Sequence, residues 1–146
     1  MTEPLPYSTP RLKKALLDAG FEVFRTRGEE IVLAERPREN LIMDSGVRLR
    51  VGGGNSLEIR IVLRAQKADF PNEDEGHLFE RVRKLAAAAL SDGFAEVGTA
   101  VTKVADPGDA ERTLDTFYEI TFSKSASRLE AALDQLKFAM GLEKRA

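Results

Sequence analysis

Two hydrophobic periodicities take turns along this chain. Leu12, Leu16 and Ala19, with Leu17 beside them, recur at the three-to-four spacing of a one-sided helix. That spacing predicts a helix over residues 10–19, with Thr9 as its cap, Pro10 at the first helical position and Gly20 ending it. Four runs of strand character follow, at residues 21–25, 30–35, 47–51 and 57–65. There the period falls to two: Val47, Leu49 and Val51 alternate with Arg48 and Arg50, and Leu57, Ile59, Ile61 and Leu63 with Glu58, Arg60, Val62 and Arg64. One face of these strands is expected to be buried and the other wet. Gly52-Gly53-Gly54-Asn55 tolerates positive φ and predicts a hairpin between the last two runs, and Arg27-Gly28-Glu29 turns the first pair.

The helical period then returns. Asn72 with Glu75 has the form of a capping box, followed by a stripe of Leu78, Val82, Leu85 and Ala89 that predicts a helix over 73–91, ended by Gly93 and Phe94. Strands over 96–104 and 114–122 flank the turn Asp106-Pro107-Gly108-Asp109. Ser125 or Ser127 caps a last helix to about residue 140, with a stripe of Leu129, Ala132, Leu133, Leu136 and Met140. The expected fold is α+β, an antiparallel sheet with three helices packed on it in the order α-β-β-β-β-α-β-β-α. Residues 1–9, with Pro4 and Pro6, read as a flexible lead-in, and 10–146 as one domain. Leu16-Leu17-Asp18-Ala19-Gly20-Phe21 and Leu90-Ser91-Asp92-Gly93-Phe94 look alike. The shared chemistry of helix stopping, glycine followed by an apolar residue that folds back, accounts for both, with an ancient duplication as the alternative.

Composition narrows the classes. With 42% hydrophobic and 32% charged residues among 146, the chain has material for a core. A net charge of -2 argues against a nucleic-acid partner, which needs a concentrated positive field. The absence of cysteine excludes disulfides, thiolate metal sites and cysteine nucleophiles. No apolar run is long enough for a spanning helix and no signal-like segment opens the chain, so no membrane association and a cytoplasmic location are expected.

Little in the sequence suggests catalysis. His77, the single histidine, stands among Glu73 and Asp74, where an acidic helix start explains the cluster better than a metal site does. Asp44-Ser45-Gly46 reads as a turn, because no adjacent base identifies Ser45 as a nucleophile. Gly52 to Gly54 lacks the lysine and hydroxyl residue of a phosphate-binding loop. No catalytic residue, metal or cofactor is therefore expected. The candidate binding residues are Arg48, Arg50, Arg60 and Arg64 on the wet strand face, whose planar forks suit carboxylates and phosphates unless Glu35 and Glu58 pair with them. Phe117 and Phe138, off the apolar stripes of their elements, are the candidate interface aromatics.

In its order of elements over residues 10 to 140, and most of all in the strand pair 96–122 running into the Ser127-Arg128-Leu129-Glu130 helix, the chain resembles the type III secretion chaperone-like and YbjN-like bacterial fold. That resemblance implies a small cytosolic protein that dimerises and holds partner segments. The leading expectation is a non-enzymatic, chaperone-like module acting on another polypeptide, itself a homodimer. The alternative is a sensor domain that binds a small anionic ligand on its arginine face.

Overall fold

The computed structural model describes residues 7–52 and 56–146. The protein is α+β, as its periodicities predict, with six strands among the described residues in one antiparallel sheet of order β1-β2-β3-β4-β6-β5. In chain order the elements are α1 (Thr9–Asp18), β1 (Val23–Arg27), β2 (Glu30–Arg38), β3 (Leu41–Val51), β4 (Leu57–Gln66), a 3-10 turn (Lys67–Asp69), α2 (Glu75–Leu85), α3 (Ala87–Ser91), β5 (Ala95–Asp106), β6 (Asp109–Ala126) and α4 (Leu129–Met140). No helix among the described residues is long and apolar enough to cross a membrane. The chain divides into two compact units, one holding the chain to Ile61 with Lys124–Gly141, the other Val62–Ser123 with Leu142–Ala146.

The first unit is an antiparallel meander. β3 and β4 are joined in tight register, Val47 opposite Ile61, Leu49 opposite Ile59 and Val51 opposite Leu57. The Gly52 amide donates to the Ser56 carbonyl at 2.8 Å, closing the predicted hairpin, whose residues 53–55 lie outside the described residues. Every second side chain of these strands, Ile31, Leu33, Val47, Leu49, Leu57, Ile59 and Ile61, is fully buried. Leu12 and Leu16 of α1 and Ala132, Leu136 and Ala139 of α4 are buried in the same unit, α1 against β1 and β2 and α4 against β3. At about 25 cal/mol per Å² of apolar surface, this alternating face is what stabilises the unit.

The second unit holds α2 and α3 with the β5–β6 ribbon, and its core is Leu63, Ala65, Leu78, Val82, Ala86, Phe94, Ile120 and Phe122. The Asp106-Pro107-Gly108-Asp109 turn forms as expected, with the Gly108 amide donating to Asp106 Oδ1 at 2.8 Å.

Four details of the helices differ from the sequence reading. The helix expected over 73–91 is two, because the fully buried Ala86 sits at φ -78° and ψ -2° and interrupts the ladder, giving four helices among the described residues instead of three. Alanine is the best helix former, so nothing local announces the break. Asp74, not Asn72, caps α2, its side chain accepting from the His77 amide at 2.9 Å. Ser125 lies inside β6, and Arg128 occupies the cap position of α4 without a side-chain cap bond. Thr9 is the first residue of α1, with Ser8 in the cap position.

Candidate functional site

The pleat and the β2–β3–β4 register fix where the first three arginines stand. Arg48 lies directly opposite Arg60, and Arg50 lies opposite Glu30 on one side and Glu58 on the other. Two like charges facing each other across a ladder would destabilise it without compensation. A β-bulge provides that compensation. β3 takes four residues from Asp44 to Arg48 where β2 takes two from Ala34 to Val32. Gly46 makes this possible at φ 83°, in the left-handed region that favours glycine. The Asp44 carboxylate accepts the Gly46 amide at 2.8 Å, and the buried Ser45 hydroxyl accepts the Val47 amide at 3.1 Å. Asp44-Ser45-Gly46 is thus a bulge within β3, not a connecting loop.

The bulge aims Asp44 at Arg48, whose two terminal nitrogens donate to the two carboxylate oxygens at 2.8 Å each. Arg25 approaches the same carboxylate at 4.0 Å. Burial works to raise the Asp44 pKa, but the hydrogen bonds from Arg48 and Gly46 and the charges of Arg48 and Arg25 together hold it below the usual aspartate range. Arg60 pairs with Glu58. Glu58 is therefore the expected partner, whereas Glu35 stands opposite Met43 and the actual partner of Arg48 is Asp44. Sequence reasoning missed Asp44 because an i, i+4 pair on a strand meets only where a bulge intervenes. The signal was present as a glycine two residues after an aspartate. Val32 sits between Arg25 and Arg48 in register and is nonetheless buried, consistent with long arginine stems sheltering apolar surface.

Arg64 and Phe117 belong to the second unit. The Arg64 guanidinium lies over the Phe117 ring at 4.8 Å from its centroid, so Phe117 is half-buried under a cation rather than presented to solvent. Its strand neighbour Tyr118 meets Phe79 of α2 edge to face, at 5.5 Å. The backbone of Arg64 is tied to the chain's last residues, its amide donating to the Lys144 carbonyl and its carbonyl accepting from the Ala146 amide, both at 2.9 Å. Phe138, in the first unit, is half-buried on α4.

His77 is an exposed helix-start residue: its ring nitrogen meets Asp74 Oδ1 at 2.7 Å, and hydrogen bonds from the His77 amide and ring hold the Asp74 pKa down. Glu73 turns instead to Arg81, whose side-chain hydrogen bonds lower its pKa, and Arg81 also stacks at 4.0 Å over Phe70. No group of three or more His, Asp or Glu among the described residues is placed to hold a metal ion.

No family model matches the chain, and no solved structure matches it. Among curated proteins it is similar to thiazole synthases. It is 34% identical to the thiazole synthase of Brucella anthropi over 114 residues, which cover 72% of this chain and 43% of that protein. With the thiazole synthases of Brucella suis and Brucella abortus the identity is 33% over 119 residues, 75% of this chain and 44% of each of those proteins. The chain thus spans less than half the length of the relatives it matches. These relatives are named for a biosynthetic enzyme activity. That similarity corrects the expectation of a chaperone-like module acting on another polypeptide, for which the comparisons offer no support.

Proposed function

We propose that this chain acts in thiazole-forming biosynthesis, as an enzyme domain related to a part of the thiazole synthases. The observation that carries the reading is the extent of the match: 114 aligned residues exceed the length of either compact unit, so the similarity draws on both rather than on one recurring local motif.

The contribution that the side chains support is binding of an anionic reactant. Arg50 is half-buried on β3 and makes no ion pair with a described residue, and Arg64, its guanidinium over the Phe117 ring, has no carboxylate partner among them. A guanidinium pre-oriented in this way meets a carboxylate or phosphate with two parallel bonds and loses little rotamer freedom in doing so. Arg48 and Arg60, already paired with Asp44 and Glu58, serve the sheet.

The test is genetic. Deleting the gene from its own organism should create a growth requirement for an added thiazole compound, relieved by restoring the wild-type chain. Wild-type growth of the deletion strain in thiazole-free medium would overturn the proposal.

A further inference from the structure

Beside α1 the first unit holds a groove of about 540 Å³. Leu12, Ala15 and Leu129, the first residue of α4, give it an apolar lining, and Tyr7, Arg11 and Lys14 add a phenol and two cations. Among the described residues, Asp18 is the one carboxylate at its wall. The helix period explains the gathering, since residues three and four apart on α1 share a face. Sequence reasoning took α1 only for its apolar stripe and passed over the cations beside it.

These two cations differ from most arginines of the sheet. Arg48 and Arg60 have carboxylates within reach, whereas the side chains of Arg11 and Lys14 make no ion pair or hydrogen bond with any described residue. Lys14 and Asp18 stand at i and i+4 without closing to ion-pair distance. Like charges one turn apart on a helix repel, so this face carries an electrostatic cost that an anion in the groove would remove. The volume falls within the range of small-molecule sites, and an apolar lining with a few convergent polar groups is their usual chemistry.

We infer that this groove binds a small organic anion: a carboxylate or phosphate group, met by Arg11 and Lys14, carried on an apolar body that rests on Leu12, Ala15 and Leu129. The inference stands on the groove alone and is independent of the thiazole reading.

The probes are octanoate and phenyl phosphate, with acetate and octanol as controls that carry only the charge or only the apolar body. Calorimetric titration of the full chain should show at least one of the two probes binding at least tenfold more tightly than either control. The double charge reversal R11E/K14E should weaken that binding at least tenfold. Both positions are on the exposed side of α1, and circular dichroism of the variant checks that the fold is kept. Should the variant unfold, K14Q read against L129N gives the same decision, the first removing a cation and the second an apolar contact, each expected to weaken the probe. Loss of octanoate but not phenyl phosphate binding would mark the ligand as a carboxylate, and the converse as a phosphate. Failure of both probes to bind, or equal binding to wild type and variant, would overturn the inference.

Discussion

Arg48 and Asp44, four residues apart on one strand, form a bidentate pair at 2.8 Å because the bulge at Gly46 turns both to the same side of the sheet. The pair is only partly exposed, 15% at the arginine and 29% at the aspartate, and it sits where Arg48 faces Arg60. Replacing Asp44 with Asn keeps the shape and removes the charge. The expected cost is about 1–2 kcal/mol, measured by urea unfolding at pH 7.

The same pair sets a pH dependence. The folded pKa of Asp44 is depressed relative to the unfolded chain, so its stabilisation is present above the unfolded value of about 3.9 and is lost as pH falls through the folded value. The stability gap between wild type and D44N should therefore be full at neutral pH and close on acidification below about pH 4. A gap that stays constant down to pH 2 would contradict this.

Gly20 ends α1 at φ 93°, with open space where a Cβ would stand. The Phe21 amide donates to the Leu16 carbonyl at 2.9 Å and the Gly20 amide to Leu17 at 3.1 Å, the double bond pattern of a helix stop. With no clash to confuse the reading, Gly20→Ala reports the left-handed backbone alone and should cost about 1 kcal/mol, seen as a lowered melting temperature.

Gln135 on α4 has a side-chain oxygen that is buried without a hydrogen-bond partner among the described residues. Gln135→Met, nearly the same in volume, removes the orphaned acceptor and should raise stability by about 1 kcal/mol. Unchanged or lower stability in denaturant titration would show that the oxygen is satisfied in solution.

The similarity between the two glycine-phenylalanine segments was legible and its cause is now visible. Phe94 donates to Ala89 at 3.0 Å and Gly93 to Leu90 at 3.2 Å, repeating the α1 pattern bond for bond. The strands were legible for the same kind of reason, since a period of two on β3 and β4 leaves no other face to bury. The break at Ala86 and the aim of Asp44 were not legible, because each depends on a backbone angle set by packing or by a bulge rather than by local preference. The binding residues were legible only in part. Periodicity identifies which arginines share a side of the sheet and puts Glu58 beside Arg60, but only the bulge brings Asp44 to Arg48. The cations Arg11 and Lys14 lie on a helix whose spacing signals only its buried stripe.

Participation in thiazole formation is tested in extracts. An extract of the deletion strain, supplied with its natural metabolites, is assayed for new thiazole compounds by mass spectrometry, with and without the purified chain. Little formation is expected without the chain, with recovery in proportion to the amount added. Formation at the wild-type rate in the deletion extract, unaffected by the added chain, would contradict it.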